Sequence, residues 1–199
     1  MARALIVYCH PSPVSFTAAV RDTVLNRLAA SGAEVRVIDL YARAYDPTLG
    51  LAAWEGYLDT SRNRDGVAED VAALLWADTL IFIYPTWWYA LPAALKGWLD
   101  RTLLPDVAFL MPDGANRTIL PGLTHIKRLG VFTTCGASWW LTTFVGAPGK
   151  RMLTRGIGLL CAPRHRRAFA AHYLMDSSTP ESRARHLERV ARKTDRLLR

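Results

Sequence analysis

Apolar and polar positions along this chain fall into blocks that switch between two periods. Residues 4–8 form a continuous apolar run of strand length. The next block places Phe16, Val20, Val24 and Leu28 four residues apart, the spacing of one helix face. Ser15 stands where it can cap that helix and Gly32 where it can end it. Glu34–Asp39 is a second strand, so residues 4–39 make a β-α-β unit with a crossover long enough for parallel pairing. Residues 41–64 show no period and contain Asp46-Pro47 and Asn63, and an irregular stretch of that length is expected to cover something or to carry function. Beyond it the pattern predicts a helix over 66–77, a strand over 79–84, a helix over 92–103, a strand over 128–134, a helix over 150–160, a strand over 166–171 and a closing helix over Pro180–Leu198.

Five strands alternating with helices predict an α/β fold, a doubly wound parallel sheet with helices on both faces, and 199 residues suit one domain spanning 1–199. At this length the common strand order is 2-1-3-4-5, the flavodoxin-like arrangement. That order gathers the C-terminal ends of strands one, three and four, with the loops at His10, Pro85 and Thr133, on the edge where open α/β sheets bind ligands.

The richest segment is 80–101. A buried-type strand runs into Pro85-Thr86-Trp87-Trp88-Tyr89, and a helix starts at Pro92, where proline fits the first turn. Adjacent tryptophans are costly to leave in water, so they are either covered by the fold or form the wall of a site for something flat. Singly such aromatics are more often core; together at a strand end they favour a site. In the helix that follows, Leu91, Leu95, Trp98 or Leu99, and Thr102 make a buried stripe, so Lys96 and Asp100 read as structural rather than catalytic. The first loop, from His10 to Thr17, offers hydroxyls and amides to an anion at a helix start, the plainer alternative being a Ser15 cap in a proline-stiffened turn.

Pro85-Thr-Trp-Trp followed by Pro92-Ala-Ala-Leu-Lys-Gly-Trp-Leu-Asp-Arg101 resembles the signature of the flavodoxin-like NAD(P)H:quinone oxidoreductases, and weaker matches around His10 and Thr133 fall in the right order. The resemblance implies a flavin, FAD with FMN as the alternative, and two-electron ping-pong transfer from NADH or NADPH to a quinone or a similar flat azo or nitro aromatic. It implies that His10, Ser15, Phe16 and Thr17 hold the flavin's phosphates and ribityl chain, and that Pro85, Thr86, Trp87, Trp88 and Tyr89 lie beside the isoalloxazine. Backbone N–H groups of Thr133, Thr134, Cys135 and Gly136 would then face the pyrimidine side, where reduction places negative charge. Family members often have Asn at the place of Thr17 and Gly at that of Cys135. Residues 139–150 lack the Tyr and His that assist charge transfer in mammalian-type members, so Trp88, Trp139, Trp140 and Phe144 are expected to form an apolar acceptor wall. No side chain is assigned as catalytic, because the flavin carries the chemistry. Relatives use the helix after the tryptophans in a two-fold homodimer, and the 41–64 stretch, long enough to cover an adenine, favours FAD. Other relatives are flavin-binding regulatory subunits of potassium efflux antiporters. That is the alternative function, with the basic last helix and 41–64 as docking elements.

The net charge of +8 is gathered largely in the last helix, at Arg183, Arg185, Arg189, Arg192, Lys193, Arg196 and Arg199 around a stripe of Leu187, Val190, Ala191 and Leu197 or Leu198. This reads as a solvated face on a core-packed helix, attractive to phosphorylated cofactors and not calling for nucleic acid. Three cysteines without a C-x-x-C pair, and five histidines without ligand spacing, argue against a disulfide framework and a metal site. No apolar run approaches the roughly 18 residues of a membrane span. The N-terminal apolar run is too short for a signal peptide, so cytoplasm is the expected location. Gly146-Ala-Pro-Gly-Lys150 lacks the spacing of a phosphate loop, and no G-x-S-x-G elbow occurs.

Overall fold

Strands β1 (Arg3–Tyr8), β2 (Glu34–Asp39), β3 (Thr79–Thr86), β6 (Arg128–Cys135) and β7 (Arg166–His172) pair in parallel in the order β2-β1-β3-β6-β7. With only the long strands counted, this is the predicted 2-1-3-4-5. The computed structural model describes residues 1–112 and 117–199. Two short strands, β4 (Phe109–Leu110) and β5 (Leu120–Pro121), form a separate antiparallel ribbon that the sequence did not announce, since two residues are too few for any period to register.

The inner strands β1 and β3 are almost wholly apolar because both faces of the sheet are covered there, whereas the edge strand β2 carries Glu34, Arg36 and Asp39 and is largely open. In β1, Ala4, Ile6 and Tyr8 point to the layer of α1 (Phe16–Ala30) and α8 (Pro180–Leu198), while Leu5, Val7 and, just past the strand, Cys9 point to the other layer. That second layer holds α3 (Ala68–Trp76), α4 (Ala93–Thr102) and a helical stretch over 148–160. The stretch is longer than the predicted 150–160 and changes pitch along its length: α6 (Pro148–Arg151), a π-helical segment at Met152–Ile157, then α7 (Gly158–Leu160). On α4 the predicted stripe is buried with both Trp98 and Leu99 inside, Trp98 edge-on to Phe82 at 6.2 Å between ring centroids.

Two expectations need correction. The 41–64 stretch is not irregular throughout: it contains α2 (Leu51–Glu55), and it is fastened over α3 and α4 by Arg43–Asp70 (2.6 Å), by Arg101 donating to the Asp46 carbonyl and by Asn63 Nδ2 donating to the Pro105 carbonyl (3.1 Å). Pro47 lies so close to Gly97 that any Cβ there would collide with its backbone. The stretch therefore covers α4, on the face away from α1 and α8. On α8 the fully buried stripe is His186, Val190, Thr194 and Leu197, with Leu187 and Ala191 only half-buried. The helix is rotated from the apolar-only reading because the Thr194 hydroxyl satisfies itself on the Val190 carbonyl (3.0 Å) and can be buried at little cost. No helix among the described residues is long and apolar enough to cross a membrane.

Candidate functional site

The sheet register sets where chemistry can happen. Tyr8 pairs with Ile83, Tyr84 with Thr133 and Thr134 with His172, so β1, β3, β6 and β7 end at one level and release their loops together. The three loops expected to cooperate do share this edge. A fourth, after β7, joins them.

The first loop is stiffened from within. His10 Nδ1 accepts from the Ser12 amide at 3.0 Å, and burial holds its imidazole below the usual range. Ser15 caps α1 by accepting from the Ala18 amide at 3.1 Å. Phe16 turns its ring toward β7, meeting His172 edge-on at 5.3 Å and His186 at 5.9 Å. The buried Thr17 and Thr134 hydroxyls pair at 3.0 Å and join α1 to β6. The Thr17 hydroxyl is thus used inside the fold.

The second loop is a tight reversal. Ala90 donates to the Trp87 carbonyl at 3.0 Å across a two-residue turn in which Trp88 and Tyr89 both take positive φ, 49° and 63°. Positive φ at both central positions is the type I′ pattern, which favours Gly and Asn; a bulky L-residue there costs roughly 1–2 kcal/mol. The strain holds Trp88 up as a crest, 92% exposed, while Pro85 stays buried in β3 opposite Thr134. Strain of this kind gathers at binding and catalytic sites.

The third loop begins with the Thr86 and Thr133 hydroxyls 2.8 Å apart, locking the strand ends together. Cys135 is buried, with Sγ 3.7 Å from the Thr142 hydroxyl, and the exposed Gly136 follows. A Cβ at Gly136 would come within 3.1 Å of an Asp176 carboxylate oxygen, so the backbone is bare here and has an acidic neighbour. Then α5 (Trp139–Phe144), capped by Ser138, lifts Trp139, Trp140 and Phe144 to exposures of 60%, 66% and 76%, with Trp140 and Phe144 stacked at 5.5 Å. Among the described residues no ring stacks on Trp88, so in the single chain this wall is open. Among the described residues a slot of about 20 Å³ lies between Tyr84, Tyr89, Thr133, Cys135, Lys150 and Tyr173.

Sequence reasoning missed the fourth loop. After β7 the chain makes a 3₁₀ turn at Met175–Ser177 and enters α8, leaving a cleft of about 320 Å³ lined by His172, Ser177, Ser182, Arg185, His186 and Arg189 among others. It adjoins the first loop through Phe16. Burial depresses both imidazoles, and His186, only 2% exposed, falls to about 4. The rule that ligands gather at strand ends applied to the last strand as well; the basic face of α8 hid it, because Arg185 and Arg189 looked like solvated surface.

Burial pushes the Cys9 thiol up to about 12, which makes it inert, and raises the Tyr84 phenol. The edge offers an aromatic crest, bare backbone at Gly136 and a cationic cleft, a surface suited to something both flat and anionic.

A family described as having a flavodoxin-like fold matches the chain over residues 2–194. A ribosyldihydronicotinamide dehydrogenase (quinone) of Homo sapiens is 29% identical over 76% of this chain and 71% of its own. A crystal structure of a Streptococcus mutans UA159 protein is 26% identical, with a TM-score of 0.81 over 98% of this chain and 99% of that one. The structure of an FMN-dependent NADH-azoreductase from Bacillus anthracis, in complex with FMN, is 18% identical with a TM-score of 0.76 over the whole of both chains and shares the fold.

Proposed function

The chain belongs to the flavodoxin-like family that matches it over residues 2–194, and from that premise we propose that it is a flavin-dependent NAD(P)H oxidoreductase reducing quinones or similar flat aromatic acceptors. The observation that carries the proposal is the strained Trp87–Ala90 reversal on the same edge as Gly136 and the exposed aromatics of α5. An exposed tryptophan held at a strained backbone angle contributes nothing to the core. It is explained by a flat ligand packing against it.

The residues fit a flavin. Pro85 to Tyr89 would lie beside its ring, Thr133 to Gly136 would approach it with backbone, and His10, Ser15, Phe16 and Thr17 would line the path of its phosphates, with Ser15 and Thr17 acting chiefly by fixing the start of α1. When bound, the flavin supplies two-electron redox chemistry. The chain binds and orients the partners and keeps water from them. Trp88, Trp139, Trp140 and Phe144 form the proposed acceptor wall, used in turn by NADH or NADPH and by the acceptor. The azoreductase neighbour works with FMN; we infer FAD here because the cleft beside Phe16 gives room and positive charge for a second phosphate-bearing half. That cleft replaces the 41–64 stretch as the reason for FAD.

The proposed unit is a cytoplasmic two-fold homodimer of one flavodoxin-like domain spanning 1–199. Leu49, Trp54, Tyr57, Leu99, Leu103 and Met152 line an apolar groove of about 410 Å³ against α4, and Leu51, Trp54 and Leu58 around it are 71%, 65% and 67% exposed. An apolar surface of this extent supports association. Three buried free cysteines suit a reducing compartment.

Steady-state turnover with a soluble quinone tests the reading. One pocket used in turn gives parallel double-reciprocal lines. Converging lines with donor and acceptor bound together would overturn the shared pocket, and absence of turnover with any flat acceptor would overturn the function.

A further inference from the structure

Where β6 and β7 begin, at the end of the sheet away from the aromatic crest, a cavity of about 580 Å³ opens between the loop over 121–124, the helical stretch over 148–160 and the loop over 161–165. The length of these strands puts it on the order of 20 Å from the edge where Trp88 and Gly136 stand. Around it the Cys161 thiol donates to the Ile157 carbonyl at 3.4 Å and the Ala162 amide to that of Ile126 at 3.0 Å. Bare Gly158 lets the His165 imidazole pack against the helical stretch, since a Cβ there would come within 3.3 Å of Nε2. One wall belongs to the π-helical segment Met152–Ile157, whose Thr154 carbonyl accepts from Arg167 at 3.3 Å. Segments of this pitch recur at functional sites.

Two features of the rim bring the fold no stability. Leu159 is 77% exposed beside Pro121 and Pro163 and buries almost nothing. The loop over 161–165 reverses through Pro163 and Arg164, closed by the His165 amide donating to the Ala162 carbonyl at 3.0 Å, with Arg164 at φ 60°. Proline followed by a positive φ is the type II pattern, whose second central position favours Gly or Asn. An arginine at that position accepts backbone strain and brings a guanidinium to the cavity. Arg155 and Arg167 line the cavity too, and among the described residues none of the three forms a salt bridge.

The chemistry of this lining selects its occupant. Guanidinium forks pair with planar carboxylates, whereas Leu159, Pro121 and Pro163 gain from an apolar body laid over them. A small inorganic anion would leave that hydrocarbon wet, and a neutral apolar molecule would strip water from the cations without pairing them. One molecule carrying both parts satisfies both. We propose that the cavity is a second ligand site, for a small amphipathic carboxylate whose anionic end meets Arg155, Arg164 and Arg167 and whose apolar body covers Leu159 and the two prolines. Its volume is that of a small-molecule pocket. The site stands apart from the aromatic edge and does not depend on flavin.

Decanoate serves as the probe, with naphthoate as a flatter carboxylate and with decanol and inorganic phosphate as the two halves of the pattern taken separately. Titration of the purified protein, followed by calorimetry and by amide and indole NMR, should show a carboxylate bound with shifts at Gly158, Leu159 and Arg164. Decanol and phosphate should each bind at least about tenfold more weakly, one lacking the charge-assisted pairing and the other the apolar contact. Arg164→Gly suits the positive φ, so the variant should fold at least as well as the parent while carboxylate affinity falls severalfold. Leu159→Asp changes an exposed position and should abolish binding with the fold intact. Added FAD should leave the carboxylate shifts in place. The proposal is overturned if neither carboxylate moves those amides, if the shifts are confined to the indoles of Trp88, Trp139 and Trp140, or if FAD displaces the carboxylate. It is equally overturned if decanol or phosphate binds as tightly as the carboxylates, or if well-folded Arg164→Gly and Leu159→Asp keep full affinity.

Discussion

Trp88 separates stability from function at a single residue. Its side chain is 92% exposed and its backbone sits at φ 49°, so it adds strain and almost no burial. Trp88→Gly should leave the unfolding midpoint unchanged or raise stability by about 1 kcal/mol, because glycine accepts the left-handed region freely. The same change should weaken flavin retention or acceptor affinity severalfold. Denaturation and binding measured on one preparation check both halves, and a variant that is less stable yet binds normally would make Trp88 structural. His186 offers a second test at this scale. Its folded pKa is about 4 against an ordinary 6.5, so stability is complete above the unfolded value and is lost as pH falls between them, because the unfolded chain takes up the proton first. The loss should approach on the order of 3 kcal/mol near the folded value. Urea unfolding across that window should show it, and His186→Leu should reduce it.

Among the elements, the packing of the 41–64 stretch on α4 is the contact most exposed to test. Gly97 faces Pro47 with no room for a Cβ, so Gly97→Ala must push the stretch away from the helix or shift the helix itself. Overpacking of this kind costs about 1–3 kcal/mol, and proteolysis within 41–64 should quicken. Unchanged stability and protection would mean the contact is loose. The same contact marks how far the sequence was legible. The alternation of apolar runs with four-residue spacings marked the long strands and the helices between them, most plainly where a strand is covered on both faces, as β1 and β3 are, and less so at the edge strand β2. Gly97 was legible as part of a signature but not as a consequence, since its partner lies far away in sequence. The polar residues of the α8 stripe, His186 and Thr194, were invisible to an apolar pattern, and the π-helical segment at Met152–Ile157 has no period of its own to betray it.

At the scale of the whole molecule, strand order and register carry the site. Once β1, β3 and β6 are adjacent and in step, the loops at His10, Pro85 and Thr133 must meet, which is why the candidate edge could be found from sequence. The cleft beyond β7 obeys the same rule and was overlooked because its cations resembled ordinary surface. The open wall of Trp88, Trp139, Trp140 and Phe144, with the apolar groove against α4, leads to the expectation that a second copy completes the unit. Light scattering across a dilution series should show dimers that release flavin as they dissociate, and a monomer retaining all its flavin at every concentration would reject that. The central claim has a more direct test: the absorbance spectrum of the purified protein supplied with FAD, followed anaerobically through addition of NADH or NADPH and then of a soluble quinone. The predicted result is a stoichiometric flavin spectrum that bleaches with the nucleotide and returns with the quinone; a well-folded protein that takes up neither FAD nor FMN at micromolar concentration would contradict it.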